Sequence, residues 1–349
     1  MTRQISAGPV KIGGGAPVSI QSMTNTDTRD AAATLAQIEA LAQAGCQIVR
    51  CAVPDHEAAR ALGEICEKSP LPVVADIHFD YRLALESIAA GVSKVRINPG
   101  NIGGDDRVHA VVQAARSKGI PIRIGVNSGS VEREILARYG GPTPDALVAS
   151  ALYHARLLEK FDFYDICLSM KSSSVPDTMR AYLLAHEQTD YPLHLGVTEA
   201  GTEYMGTIKS AAGIGGLLAL DVGDTIRVSL TDDPVREIFA AQAILKAVGR
   251  NDDGIDVVAC PTCGRTRIDL IGIAKEVERR VAGLHGKKLK VAVMGCAVNG
   301  PGEAREADLG IAGGDGVGLL FRKGEILRRV PQDQLVDELM QEIQFELER

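Results

Sequence analysis

Three cysteines late in the chain carry the clearest chemistry. Cys260 and Cys263 form a C-x-x-C pair within Ala259-Cys260-Pro261-Thr262-Cys263-Gly264-Arg265. Cys296 follows 33 residues later, inside Met294-Gly295-Cys296-Ala297-Val298-Asn299-Gly300-Pro301-Gly302-Glu303-Ala304. Gly and Pro flank these thiols, which lets backbone amides approach sulfur. A C-x-x-C pair alone suits a redox couple or half a zinc knuckle. Structural zinc is normally closed by four nitrogen or sulfur ligands, and no fourth Cys or His is well placed here, His285 lying beyond a lysine-rich turn. Iron–sulfur clusters are usually held by four thiolates. Three would leave one iron for an oxygen ligand or a substrate, and Glu303 is the nearest carboxylate in the glycine-rich loop. The residues favour a catalytic iron–sulfur cluster, with a zinc-bearing tail as the alternative. The C-x-x-x-C-x-x-C spacing of adenosylmethionine radical chemistry is missing.

A second constellation lies earlier. Short β-branched runs end on Arg50, on Asp76 and His78, on Arg96 and Asn98, on Arg123 and Asn127, on Lys171, on Glu199, and on Ser229 and Thr231. Lys and Arg are depleted inside strands, and four cations at neighbouring strand ends repel unless an anion meets them. Arg offers a planar fork for phosphate oxygens, and the hydroxyls near the last run are ordinary phosphate donors. The expected ligand therefore carries one or more phosphates. Asp76 and His78 share a strand face and could ligate a metal, but a mononuclear site wants more His. The expectation for His78 is substrate hydrogen bonding with a proton-transfer role. Glu199 is a candidate acid/base group or a counter-ion to the cations.

These residues need a frame that brings strand ends together. Strand-like runs at Val18–Met23, Ile48–Val53, Val73–Ile77, Lys94–Asn98, Ile122–Asn127, Asp165–Met170, Leu193–Thr198 and Thr225–Leu230 alternate with helix-period stretches such as Asp30–Gln43. Thr143-Pro144 and Asp233-Pro234 read as cap-then-proline helix starts. Eight such units in about 230 residues predict a (β/α)8 TIM barrel, whose chemistry gathers at the C-terminal strand ends. No dinucleotide-type glycine fingerprint follows any strand. Arg3 to Ala16 reads as a hairpin around Ala7-Gly8-Pro9 that plugs the barrel bottom. The polar stretch 248–254 is the expected boundary, giving a substrate-binding barrel over 1–250 and a smaller α+β cluster domain over 251–349. In that domain the expected elements are strands at Asp256–Ala259, Lys290–Met294 and around Val317–Phe321, a helix between the first two, and a terminal amphipathic helix from Gln332 to Leu347.

Composition narrows the class. The chain has 349 residues, 45% hydrophobic and 24% charged, with 38 Lys+Arg against 45 Asp+Glu. That is a globular mix, and with no Trp and no basic block a nucleic-acid surface is not expected. Ala211 to Leu220, the longest nearly apolar stretch, is about half of the ~20 residues a bilayer span needs, so no membrane association is expected. The N-terminus lacks a signal-peptide pattern, and seven Cys fit thiols or ligands better than a disulfide framework. The expected compartment is the cytoplasm.

Read together, Gln21-Ser22-Met23-Thr24, Asp76-Ile77-His78-Phe79-Asp80, Arg96-Ile97-Asn98-Pro99-Gly100-Asn101, Gly125-Val126-Asn127-Ser128-Gly129-Ser130 and the two cysteine motifs resemble the bacterial 4-hydroxy-3-methylbut-2-enyl diphosphate synthases of the methylerythritol phosphate route to isoprenoids. The resemblance runs in order from about residue 2 to the end and matches the short bacterial form. It implies reductive ring opening and dehydroxylation of 2-C-methyl-D-erythritol 2,4-cyclodiphosphate. It implies a [4Fe–4S] cluster on Cys260, Cys263, Cys296 and Glu303, and a diphosphate held by Arg50, Arg96, Arg123, Lys171 and Ser229, with Asp76 in the same pocket. His78, Asn127, Glu199 and Glu303 would act in catalysis. Flavodoxin or ferredoxin would be the electron donor.

One expectation about assembly follows from chain geometry. Each barrel helix returns the chain to the face opposite the mouth. A seven-residue linker spans at most ~25 Å, little more than the ~21–23 Å length of a barrel helix. The cluster domain is therefore expected to cap the barrel of a second chain, in a head-to-tail homodimer.

Overall fold

The computed structural model describes residues 1–250, 254–284, 286–296 and 304–349, and the chain divides into two compact units, Met1–Arg250 and Asn251–Arg349. The first opens with a hairpin of β1 (Ile5–Ala7) and β2 (Val10–Ile12). Ala7 pairs with Val10, so Gly8-Pro9 is the whole turn. Ile5, Ala7 and Ile12 bury themselves against Ile48, Val74 and Cys167 near the starts of three barrel strands. The hairpin is the floor plug that its position suggested.

Eight parallel strands follow: β3 (Ser19–Met23), β4 (Ile48–Ala52), β5 (Val73–Asp76), β6 (Lys94–Ile97), β7 (Ile122–Asn127), β8 (Ile166–Lys171), β9 (His194–Leu195) and β10 (Thr225–Ile226). Their order is β8-β7-β6-β5-β4-β3-β10-β9. Leu168 of β8 bridges Leu193 beside β9, and its N–H donates to the Pro192 carbonyl at 2.9 Å, which closes the ring. Residues 2 apart alternate faces. Val49, Cys51, Val95, Ile97, Ile122 and Ile124 turn outward into one core shared with the helices. Those helices start where caps dictate: Asp30, Thr143 and Asp233 each accept a backbone N–H from the first turn, and proline opens the latter two helices.

Two strands are shorter than expected. β9 and β10 each keep two ladder residues, not the six of Leu193–Thr198 and Thr225–Leu230. At Gly196 an added Cβ would lie 2.6 Å from Lys171 Nζ and 2.9 Å from the Arg227 carbonyl oxygen. Beyond the two-residue ladder single bonds remain, such as Arg227 N–H to the Leu195 carbonyl at 3.0 Å and Thr198 N–H to the Ser172 carbonyl at 3.3 Å.

The barrel interior departs from the branched apolar filling usual for this fold. Gln21, Lys94, Arg123, His194 and Thr225 are all buried there, and Arg123 and Lys94 rank with Tyr182 among the largest fully buried side chains.

The second unit is a sheet of β11 (Ile255–Ala259), β12 (Leu289–Met294), β13 (Leu309–Ala312), β14 (Val317–Arg322) and β15 (Glu325–Pro331) in sequential order. β11, β12 and β13 run parallel, and β13, β14 and β15 antiparallel. Helices Leu270–Val281 and Leu335–Leu347 pack on the sheet through Leu270, Val277, Val281, Leu335, Leu339 and Ile343. The architecture is thus a TIM barrel followed by a smaller α+β unit. β13 and β15 were not anticipated. No helix among the described residues is long and apolar enough to cross a membrane.

Candidate functional site

The C-terminal strand ends of the barrel enclose a cavity lined by Arg50, Asp76, His78, Arg96, Arg123, Gly125, Asn127, Ser169, Lys171, Thr198, Arg227 and Ser229. Asp76 is the carboxylate at its centre. Its Oδ1 accepts from Arg96 Nη1 at 3.1 Å, and Oδ2 lies 3.6 Å from Arg50 Nε. Arg96 is held further by donation to the Gly125 carbonyl at 2.8 Å. Gly125 has no Cβ because one would sit 2.5 Å from Arg96 Nε. Asn98 fixes the same place from behind, accepting the Gly125 N–H at 3.0 Å.

The cations outnumber their partners. Burial alone would raise the Asp76 carboxyl, but Arg50, Arg96 and Arg123 outweigh it and hold it down to about 2. Burial pushes Arg50 well below its ordinary value, with Asp76 opposing. Burial and the neighbouring arginines Arg123 and Arg227 do the same to Lys171. Arg123, 1% exposed, is pushed down to about 10 by burial and by Arg96, and its Nε and Nη2 have no hydrogen-bond partner. A buried concentration of positive charge of this kind is a site for an anion.

His78 stands at the rim. Arg96 Nη1 lies 3.1 Å from its Nδ1. A guanidinium only donates, so Nδ1 accepts and the neutral ring carries its proton on Nε2. That nitrogen lies 3.9 Å from Asp76 Oδ2. Burial lowers the imidazole, with Asp76 opposing. In the neutral form Nε2–H is a hydrogen-bond donor at the rim, and the ring must first take up a proton to act as an acid.

The thiols occupy a different setting. Cys260 follows β11 directly and Cys296 lies two residues past β12, its parallel neighbour. The Gly295 N–H donates to Cys260 Sγ at 3.1 Å. Cys263 is exposed, in a turn where its own N–H donates to Thr266 Oγ1 at 3.2 Å. Hydrogen bonds from the Arg265 amide and side chain lower its thiol, which favours the metal-binding thiolate. Amide-to-sulfur bonds and a lowered thiol suit an iron–sulfur ligand set. Among the described residues no group of three ligating side chains is already assembled. Glu303, expected as a ligand and catalytic group, lies outside the described residues, as does His285.

Residues 2–242 match the GcpE TIM-barrel domain, and residues 256–345 match the GcpE protein C-terminal domain. The chain belongs to the GcpE family. Relatives named 4-hydroxy-3-methylbut-2-en-1-yl diphosphate synthase (flavodoxin) include one from Clostridium perfringens, 61% identical over 98% of each chain. Another, from Geobacter sulfurreducens, is 60% identical over 98% of this chain and 97% of its own. Among solved structures, a type I 3-dehydroquinate dehydratase from Clostridium difficile aligns with a TM-score of 0.51 at 16% identity, over 72% of this chain and 99% of its own. That likeness concerns the barrel fold alone.

Within this GcpE barrel, Arg50, Asp76, His78, Arg96, Arg123, Asn127, Lys171 and Ser229 line one cavity. Glu199 is not among the lining residues. It lies four residues past β9, exposed, with φ 53°, because the strand expected to carry it ends at Leu195. Thr231 is likewise exposed, its N–H spent on the Gly201 carbonyl at 2.9 Å. Arg227 was missed. It lines the cavity, and its Nη2 donates to Glu237 Oε1 at 3.2 Å. Glu237, 3% exposed, also accepts from Ser22 Oγ and the Leu230 N–H. The signal was available: Arg227 precedes Ser229 by two residues and so shares its face.

Proposed function

We propose that this chain is a 4-hydroxy-3-methylbut-2-en-1-yl diphosphate synthase. It would reductively open 2-C-methyl-D-erythritol 2,4-cyclodiphosphate with electrons from flavodoxin or ferredoxin, in the cytoplasm. The observation that carries the reading is the convergence of Arg50, Arg96, Arg123, Lys171 and Arg227 on one cavity around Asp76. Near-full-length relatives bearing that activity in their names support it.

In this reading the guanidinium forks of Arg50, Arg96 and Arg123 bind the diphosphate oxygens, Lys171 adds a point charge, and the Ser229 hydroxyl donates. Asp76 keeps Arg50 and Arg96 aimed by accepting from one and pairing with the other. Asn127 offers its amide to the substrate's hydroxyls. The departing hydroxyl must leave as water and needs a proton. Imidazolium His78, at the cavity rim beside Asp76, is one candidate to supply it, and Glu199 in its protonated form is the second. Cys260, Cys263 and Cys296 would hold a [4Fe–4S] cluster with Glu303 as the weaker oxygen ligand. Such a cluster supplies electrons singly to a two-electron reduction.

Protein purified without oxygen is expected to be brown, to bleach in air and to carry about four iron atoms per chain. It should convert the cyclic diphosphate when reduced flavodoxin is supplied. A colourless protein holding one zinc would overturn the reading. The head-to-tail homodimer rests on linker reach and is tested by mixing Arg123→Ala with Glu303→Ala chains. If half the dimers are mixed, about a quarter of wild-type activity returns, because one site per mixed dimer has two intact halves. No recovery, with subunit exchange shown independently, places both halves on one chain.

A further inference from the structure

Beneath the diphosphate cavity lies a lysine with no assigned role. Lys94 precedes Arg96 by two residues on β6, so it faces the same interior about 6.6 Å nearer the floor. It is fully buried, and its Nζ has no hydrogen-bond partner. The groups around it come from every strand that faces the interior with a titratable side chain. They are Arg50 on β4, Asp76 on β5, Arg96 beside it on β6, Arg123 on β7, Cys167 and Lys171 on β8, His194 on β9 and Arg227 beyond β10. The facing residue on β3 is Gln21, buried and itself unpartnered. At the floor, Asp224 is engaged by Thr2 Oγ1 and the Leu193 N–H.

Counting charges among these groups exposes an excess. Six cationic side chains (Arg50, Lys94, Arg96, Arg123, Lys171 and Arg227) face the carboxylates Asp76, Glu237 and, at the floor, Asp224. Three carboxylates leave three cations unmatched in the ligand-free protein, and a bound dianion offsets two of those. Arginine does not deprotonate in proteins, so the two lysines are the groups able to shed charge. His194 is fully buried with both ring nitrogens unpartnered, and burial together with Arg123 and Lys171 holds it far below its ordinary value.

We propose that Lys94 is uncharged in the ligand-free protein in mildly alkaline solution and takes up a proton when the cyclic diphosphate binds above it. Substrate binding would then be coupled to protonation of the barrel core. Burial, with Arg123 and Arg50 nearby, lowers the Lys94 ammonium to about 8, although Cys167 opposes this. A dianion seated among those arginines cancels their repulsion and raises the lysine again. The ligand adds no proton exchange of its own near neutrality, because each phosphorus of a cyclic diphosphate bears one strongly acidic hydroxyl.

This rests on the substrate assignment proposed above, and calorimetry separates the two. Holoprotein without reductant is titrated with 2-C-methyl-D-erythritol 2,4-cyclodiphosphate at pH 9, in buffers of differing ionisation enthalpy. Proton uptake is expected in the wild type, falling by about half a proton or more in Lys94→Met, with the remainder belonging to Lys171. Lys94→Gln should match Lys94→Met if charge and not bulk is the cause. Wild-type affinity should also weaken by up to about tenfold per pH unit above pH 8, and less steeply in both variants. Binding without proton uptake, or equal uptake in wild type and both variants, overturns the proposal while leaving the substrate assignment intact. No binding at all overturns the substrate assignment and this inference with it.

Discussion

Arg123 sits within β7, 1% exposed and paired with residues on both neighbouring strands, whereas Cys263 lies in a turn with its thiol in solvent. The contrast extends to their surroundings. Barrel groups for the anion are fixed by ladder positions and by Asp76, Gly125 and Asn98 behind them. The three thiols stand on loops past β11 and β12, beside a core that is wholly apolar. Binding a dianion to a rigid cage costs little ordering, which suits a site that must hold one shape. Thiolates on loops pay their ordering when metal binds, so metal affinity and local folding are linked. The barrel is prepared in advance. A cysteine site of the kind proposed would be completed by what it binds.

That contrast can be broken most directly by exchanging the damage. Cys296→Ala should lose most of the iron and all turnover while calorimetric binding of the cyclic diphosphate to the barrel survives. Arg123→Ala should keep normal iron and visible absorption yet weaken substrate binding by about 2–5 kcal/mol, the usual result of removing one partner from a desolvated charge contact. If Arg123→Ala loses iron instead, the two regions are not independent. A smaller but comparable effect is expected inside the second core. Leu339 is fully buried between helix and sheet, and Leu339→Ala should cost about 2–5 kcal/mol in the unfolding of that unit. Limited proteolysis should release an intact barrel fragment.

Charge removal within the barrel comes next. Glu237→Gln strips the carboxylate from Arg227 while keeping its shape. A loss of about 1–3 kcal/mol in urea-unfolding stability is expected, because a half-buried guanidinium loses its counter-ion and a charge-assisted hydrogen bond. The smallest effect is pH-dependent. The Asp76 carboxyl is held down to about 2, below its ordinary 3.8. A depressed carboxyl contributes stability that is complete above its unfolded value and disappears as pH falls through the folded one. Asp76→Asn should therefore be less stable than wild type at pH 7, and the gap should close between about pH 4 and pH 2. A gap independent of pH would mean that packing, and not charge, is what Asp76 contributes.

Legibility in the sequence also divided between regions. The first six barrel strands and their final residues could be read because β-branched runs with helix-period spacers are a strong signal, and Arg50, Asp76, Arg96, Arg123 and Lys171 stand out against it. The lengths of β9 and β10 could not be read, since each keeps two ladder residues within a longer strand-like run, and where a ladder stops depends on its neighbours in the barrel. Glu199 was expected at the end of the longer strand, and it stands exposed four residues past β9. In the second unit β13 is four residues with a glycine in its middle. β15, Glu325–Pro331, is mostly exposed and charged, as an unpaired sheet edge tends to be. Neither has the apolar alternation that pattern reading relies on. Arg227 could have been read from its place two residues before Ser229; its pairing with Glu237, ten residues on in a helix, could not.

The floor plug has a consequence for how the barrel is made. Its anchors reach across almost the whole unit: Arg3 Nε meets Asp190 Oδ2, 187 residues away, and Thr2 Oγ1 meets Asp224 Oδ1, 222 away. Contacts of such sequence separation are among the slowest to form, because the chain between them must be ordered first. Residues 2–12 are thus among the last parts of the unit to find their places. Until they do, Ile48, Val74 and Cys167 at the lower strand ends lack their cover. Refolding should accordingly show a late phase, sensitive to Ile12→Ala, in which the barrel has its strands but not yet its dry interior.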